Sequence, residues 1–379
     1  MKKINIKLLA GTHAVYKELR RYPPNNTNFS LDSSTISKKT TDEKHYKSGS
    51  NLKRKLGTGF FNFLNVPRMI YLPNEKNDII HSCRGLLILN KKPWVLDFEH
   101  VASCANSNFH NLNKKSQQKI IQKMFASKYC KKLLPWTEPA KKSIFNYLNT
   151  RKFRDKIEVV YPAIHSIKFK KKKHNGINIF FLGMSFLPKG GLDLVEAFKL
   201  LEKKYDINLF MLTNLPEKYN YLKKNKKIHF FDAMPQKEIY KIYEKTDIFC
   251  LPSYVDSFGF AILEAKAFGI PVIAGNYLGM ADTVKDNKNG LLVNFPPRLE
   301  NYPFNKHPKR EVPWYHKHND VGKHKVIINE IKKKLKILIN STHLRKKFGL
   351  AGKKEVDSGR FSINYRNKQL SRIYEEANS

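Results

Sequence analysis

The chain is expected to be an α/β protein whose second half folds as a parallel, doubly wound sheet. From residue 177 onward, short apolar runs recur at 177–183, 207–212, 228–232, 247–252, 271–274 and 290–293, with helical segments between most of them. Alternation of this kind specifies helices that cross between parallel strands. The length of 379 residues calls for two or three domains. The charged stretch 169–176, which ends in a glycine, is the natural boundary between the halves.

The first half reads as one unit. Residues 4–10 form a first strand, and 24–57, rich in Asn, Ser, Thr and Lys, read as a long polar loop. Residues 78–81 and 93–100 are strand-like. The spacing of Ile120, Ile121, Met124 and Phe125 predicts a helix over 114–129. A short strand follows at 132–136. A helix then starts at Thr137, with Pro139 tolerated in its first turn, and another strand is expected at 157–162. Beyond residue 293, the stretch 296–320 has no periodicity and reads as an insertion. Residues 324–340 and 341–357 are helical, and Arg360-Phe361-Ser362 leads into a last helix ending at Ala377.

Composition narrows the function classes. A hydrophobic content of 41%, with 25 Phe and 18 Tyr, supplies buried cores and excludes global disorder. The four cysteines lie far apart without C-x-x-C spacing. Neither a structural zinc site nor a disulfide framework is expected, and a reducing cytoplasm fits. No signal peptide and no transmembrane run is visible. The formal net charge of +39 attracts anions such as nucleic acid, lipid headgroups or acidic glycans. A Lys-, Asn- and Ile-rich composition accounts for part of that excess.

The most informative segment is 252–274. It places two carboxylates, Asp256 and Glu264, eight positions apart around Ser257-Phe258-Gly259, and continues into Ala-x-Gly-x-Pro and an apolar strand. This reads as strand, glycine-containing loop, helix, strand. Asp256 falls in the loop and Glu264 about two turns into the helix. Backbone N–H groups at such a helix start suit phosphate or sugar oxygens. Glu264 can then reach a second part of the same ligand, such as a ribose diol.

This segment resembles the donor-binding signature of family-4 retaining glycosyltransferases, in which two glutamates are separated by seven residues. Asp256 stands in place of the first glutamate, one methylene shorter. Phe258, Gly259, Glu264, Ala265, Ala267, Gly269, Pro271, Val272 and Ile273 match the pattern. Residues 181–198 resemble the family's strand-loop-helix with a Lys-Gly pair, and Lys189 matches the lysine that binds the donor diphosphate. Met184 and Ser185 stand where the family usually has an arginine. Asp282 falls where members often have Glu, and 289–293 and 360–362 also match.

The resemblance implies the GT-B fold, with two Rossmann-like doubly wound domains facing a cleft. It implies an acceptor-binding domain over 1–168, a nucleotide-sugar domain over 169–357, and a C-terminal helix, 358–379, packing back on the first domain. It further implies transfer of a sugar with retention from a nucleotide sugar to a glycan, lipid-linked or other hydroxyl acceptor. No metal and no cofactor is expected beyond the donor itself. Lys189, Gly190 and the Ser257, Phe258 and Gly259 amides would face the diphosphate, with Gly183 admitting the ligand. Glu264 would take the ribose and Asp256 the sugar. In the first half, Glu99 and His100, which follow a strand, compete for the place from which a histidine in similar enzymes approaches the donor sugar. The segment 135–142 reads as structural. The alternatives are a GT-B nucleotide-sugar epimerase, a phosphorylase, or a basic nucleic-acid binder, although no helix-turn-helix, RNP or zinc pattern is present. A cytoplasmic protein, peripheral at the inner face of the membrane, is expected. The basic-aromatic run 53–64, with Phe60, Phe61, Phe63 and Leu64, is the candidate anionic-membrane contact.

Overall fold

A computed structural model describes residues 3–11, 13–31, 61, 64, 66–295 and 321–379. The basic-aromatic run at 53–64, apart from Phe61 and Leu64, and the expected insertion at 296–320 lie outside the described residues.

In the first half, β1 (Ile4–Leu9) alternates buried and half-buried positions and leads into α1 (Ala14–Arg21). The next strands are β2 (Thr27–Leu31), β3 (Met69–Ile70), β4 (Ile79–Ser82), β5 (Leu87–Ile88) and β6 (Trp94–Phe98). Two helices follow, α2 (Phe109–Leu112) and α3 (Lys115–Phe125), then β7 (Cys130–Pro135) and α4 (Glu138–Tyr147). The main sheet runs β2-β1-β4-β6-β7 with every pairing parallel, and β3 pairs with β5 in a small separate sheet. β4 and β6 are buried along their whole length, as strands covered on both faces must be. α3 buries Gln117, Ile121 and Phe125, one stripe at four-residue spacing. Thr137 caps α4 by accepting from the Ala140 N–H at 3.1 Å, and Pro139 sits in the first turn.

The second half contains β8 (Ile177–Ser185), α5 (Gly191–Leu201), β9 (Ile207–Asn214), β10 (Ile228–Phe231), α6 (Gln236–Tyr243) and β11 (Ile248–Leu251). It continues with α7 (Phe260–Ala267), β12 (Val272–Gly275), α8 (Leu278–Thr283), β13 (Gly290–Val293), α9 (Val321–Asn340) and α10 (Thr342–Asp357). The sheet order β10-β9-β8-β11-β12-β13 is parallel throughout and reverses direction between β8 and β11. A crevice forms at such a switch point, outside the carboxyl ends of the strands. The last helix, α11 (Ile363–Asn378), is capped by Ser362 and returns to the first sheet. Its Arg366 donates to the Tyr22 carbonyl at 2.6 Å.

Three local expectations are corrected. Thr27–Leu31 is a strand rather than part of a polar loop. It is an outer strand with only every second residue apolar or β-branched, so its composition resembles a loop. Residues 157–162 do not form a strand: Ile157 makes one parallel bridge to Leu133, and Glu158 and Val160 donate to Leu133 and Pro135. Pro162 then ends the pairing as the chain leaves for the second domain. The helix expected over 114–129 stops at Phe125, and β7 begins at Cys130.

A buried polar network ties α11 to the first sheet. Asp97 accepts from the Tyr16 hydroxyl at 2.6 Å and from His81 Nε2 at 3.1 Å, while the Tyr374 hydroxyl lies 2.6 Å from His81 Nδ1. A carboxylate only accepts, so Nε2 carries the proton and Nδ1 accepts from Tyr374. Tyr374→Phe leaves a buried ring nitrogen without its donor and should destabilise the fold by about 1–3 kcal/mol. A fall in the urea midpoint with an unchanged slope would show this; an unchanged midpoint would remove the network from any role in holding α11.

Candidate active site in the cleft between the sheets

Loops at the carboxyl ends of β8 and β11 build one wall. Lys189, in the loop between β8 and α5, places Nζ 2.6 Å from Asp256 Oδ2 and 3.0 Å from the Val255 carbonyl. Gly183 makes this possible, because a Cβ there would lie 2.9 Å from Lys189 Cβ and Cγ. The other oxygen of Asp256 accepts from the Phe258 N–H at 3.3 Å and the Gly259 N–H at 2.8 Å. Asp256 therefore holds both the lysine and two of the amides expected to face a diphosphate. The loop is pressed from behind by α8, where Gly279 is obligatory: a Cβ there would meet the Ser257 carbonyl oxygen at 1.8 Å. Gly190 opens α5 with φ of 76°.

Glu264 lies on the second turn of α7 and is only 9% exposed. Its carboxylate accepts from Gln236 Nε2 at 2.9 Å and from the Tyr243 hydroxyl at 3.2 Å. Burial pushes its pKa up to about 7, against the pull of these two donors. Glu264 is thus poised between its two forms at neutral pH. It responds to any further donor brought by a ligand.

The opposite wall comes from the first sheet. Glu99, just past β6, accepts from the Ser257 hydroxyl at 2.6 Å and pairs with Arg84 Nε at 3.4 Å. His100, the other candidate from that loop, is turned elsewhere. Its Nδ1 accepts from the Ala102 N–H at 3.1 Å and caps the 3-10 turn at Val101–Ala105. Its ring packs edge-on against Tyr147 at 6.1 Å, and burial pushes its pKa down to about 4. The structure brings together Lys189, Asp256, Ser257 and Glu99; His100 is not among them.

Two cleft residues escaped the sequence reading. His13 caps α1 through Nδ1, which accepts from the Val15 N–H at 3.3 Å. Its ring lies 6.5 Å from Phe260 across the cleft, and its pKa is lowered by burial in a setting that also includes the charges of Glu99, Arg84 and Asp256. With Nδ1 engaged as an acceptor, the neutral ring carries its proton on Nε2. Arg84 sits at φ of 55°, a strained conformation for a residue with a side chain. The signal for both was positional: each follows a strand, β1 or β4, at its carboxyl end. Asp282, which falls at a family acidic position, is a bridge between the domains. It accepts from the Glu138 N–H at 2.9 Å and the Tyr161 hydroxyl at 3.0 Å, and pairs with Arg360 at 3.2 Å.

Among the described residues, one group has metal-ligand character: His81, Cys83 and Asp97 in the buried network of the first sheet. His81 and Asp97 already hydrogen-bond each other and the tyrosines, and burial raises the Cys83 thiol well above its ordinary range. The arrangement fits a structural clamp. No helix among the described residues is long and apolar enough to cross a membrane.

Comparison with known proteins finds a family match within the second half of the chain and a likeness in fold over its whole length. Residues 164–301 match the model for glycosyl transferases group 1. The capsular polysaccharide biosynthesis glycosyltransferase CapM of Staphylococcus aureus is 25% identical over 223 residues, 55% of this chain and 49% of that protein. A D-inositol 3-phosphate glycosyltransferase of Corynebacterium efficiens is 34% identical over 129 residues, 31% of this chain and 30% of that protein. The chain thus spans half or less of the length of these relatives. The crystal structure of Anabaena Alr3699/HepE in complex with UDP and glucose aligns with a TM-score of 0.62 at 13% identity, covering 98% of this chain and 99% of that one. The likeness in fold therefore runs through both sheets and the returning helix. Residues 164–301 are thus similar in sequence to the group 1 glycosyltransferases, and the architecture of the described residues is the GT-B fold.

Proposed function

We propose that the chain transfers a sugar from a nucleoside-diphosphate sugar to a hydroxyl of a glycan or lipid-linked acceptor, with retention and without a bound metal, at the inner face of the membrane. The observation that carries this reading is the Lys189–Asp256 pair at the mouth of the switch-point crevice, with buried Glu264 on the second turn of the helix that leaves the loop. A departing diphosphate needs fixed positive charge and backbone donors where its charge develops. Lys189 supplies the cation, and Arg84, facing from the first sheet, offsets the arginine that Met184 and Ser185 replace. Binding of the diphosphate draws Lys189 and the Phe258 and Gly259 amides away from Asp256, which is then free to hold sugar hydroxyls. His13 donates from Nε2 and Glu99 accepts, so together they fix the sugar from the acceptor side. UDP, found in the Anabaena complex, is the first donor nucleotide to test.

The direct test is a panel of radiolabelled nucleotide sugars with soluble glycan and lipid-linked acceptors, scored for transfer and for the anomeric configuration of the product. Transfer with retention, unaffected by EDTA, is expected. Inverted product, loss of activity in EDTA, or epimerised nucleotide sugar without transfer would each replace the reading.

Glu264 gives a pH-dependent signature. Its folded pKa of about 7 lies above the ordinary carboxylate value, so the folded protein holds a proton that the unfolded chain has lost. Between those two values stability falls as pH rises. Keeping the buried carboxylate ionised above pH 7 costs roughly 3 kcal/mol. Ribose hydroxyls that donate to it favour the ionised form. Nucleoside diphosphate should therefore bind more tightly as pH rises through 7, with release of a proton. Calorimetry in buffers of different ionisation enthalpy should show that release in the native protein. Glu264→Gln should abolish it and weaken binding at least tenfold. A pH-independent affinity in the native protein would place the ribose elsewhere.

Lys189 acts through its charge. Lys189→Ala should lower kcat by about two to three orders of magnitude, as loss of a charge-stabilising donor does, while Lys189→Arg retains most of the rate. Equal rates for the two variants in steady-state kinetics would make this lysine a partner of Asp256 and nothing more.

A further inference from the structure

The first domain carries a cationic face that the donor site does not use. From His100 through Arg154 the chain has twelve Lys and Arg residues and a single acid, Glu138. That glutamate opens α4 at the cleft, where its N–H bonds Asp282. On α3, Lys115, Lys119 and Lys123 are exposed at four-residue spacing, two positions out of step with the buried Gln117, Ile121 and Phe125. Two residues turn a helix by about 200°, so the lysines form a stripe directly opposite the core. The stripe is continued by the loop after α4. The Asn149 N–H donates to Gln122 Oε1 at 2.5 Å, seating the loop against α3, and Arg151, Lys152 and Arg154 are exposed on it. Phe145 stands at the margin, 39% exposed, with the Arg154 guanidinium 5.5 Å over its ring. Among the described residues, no carboxylate lies within ion-pair distance of the three stripe lysines or these loop cations; Lys132, by contrast, is drawn off to Glu158 and Glu376.

We propose that this face docks on an anionic lipid membrane. It lies along the back of a helix rather than in a groove, so it suits a plane of negative charge. Phe145 is covered by a guanidinium instead of offering an open ring for a base to stack on. An aromatic beside arginine on a basic surface helix suits the headgroup boundary. Charge complementarity selects the partner: an uninterrupted basic face against phosphatidylglycerol or a similar acidic lipid. The inference deepens the transferase reading by stating where a lipid-linked acceptor is met. It is scored without donor or acceptor, so the two can fail separately.

The test is co-sedimentation of the full chain with phosphatidylcholine vesicles, with or without phosphatidylglycerol, at low and at physiological salt. The native protein should bind only the anionic vesicles, and less tightly as salt rises. A triple variant with Lys115, Lys119 and Lys123 changed to Gln should lose about a hundredfold in partition, each lysine near an anionic surface contributing about a factor of five. Its thermal midpoint and its nucleoside-diphosphate affinity should be unchanged. A matched variant with Lys325, Lys333 and Lys336 of α9 changed to Gln removes the same charge from the other domain and should bind as the native protein does. Equal losses in the two variants would reduce the effect to net charge and overturn the docking face. Equal binding to neutral vesicles, or a parallel loss of nucleotide affinity in the α3 variant, would overturn it too. Tighter retention of single-stranded RNA than of anionic vesicles, lost with the same three lysines, would assign the face to nucleic acid instead.

Discussion

The carboxylate of Asp282 is the contact on which the geometry of the cleft depends. One oxygen receives the first N–H of α4 and the Tyr161 hydroxyl, both from the first half; the other meets Arg360, at the start of the returning segment. Arg360 also lies over the Tyr161 and Phe361 rings, at 5.1 and 4.6 Å. A negative charge at the start of a helix is favoured by the helix dipole, and a bidentate-capable cation on the opposite side compensates its desolvation. The same neighbourhood holds Lys266, fully buried, whose ammonium bonds Glu355 at 2.7 Å and whose pKa burial lowers to about 8. Two sheets with no shared strand thus meet through this charged contact as well as through apolar packing such as that of Trp136 against Phe258 at 6.3 Å.

Within the cleft, the donor wall satisfies itself. Asp256 occupies the anion position that a helix start and a lysine create together. A glutamate has one more methylene and reaches further; the shorter aspartate folds back onto the Phe258 and Gly259 amides. The loop is therefore pre-shaped, with its cation and its two amides already engaged by one carboxylate. Glu264 faces the converse situation. It is buried with two neutral donors and, among the described residues, no cation within ion-pair distance, so its charge is weakly supported.

The charge excess also acquires structure. Many lysines are matched locally: Lys171 with Asp247, Lys172 with Glu244, Lys353 with Asp357. Among the described residues those of α3 and the loop after α4 are not, because the chain places almost no acid there. A composition that looks uniform in sequence becomes a one-sided field once a helix sorts its residues by face.

The second domain and the loop that carries Asp256 were legible in the sequence. Long apolar runs separated by helical stretches leave a parallel sheet as the arrangement that buries them, and Asp256, Gly259, Glu264 and Lys189 fall on loops and helix turns fixed by that pattern. It also placed the Thr137 cap of α4, since a cap is local chemistry. The edge strand β2 is hidden in the sequence because its exposed face reads as loop, and 157–162 has the pattern of a strand although a single Pro ends the pairing. Which residues meet across the cleft is settled by long-range packing. Glu99 and His100 are adjacent in sequence, yet one reaches Ser257 and the other caps a turn, because successive residues leaving a strand point to opposite sides. His13 and Arg84 join them from other strands, and Asp282 becomes an interdomain contact through partners 78 to 144 residues away. Local pattern carries the period of a helix or a strand; it carries no record of which distant side chain will fill the space opposite.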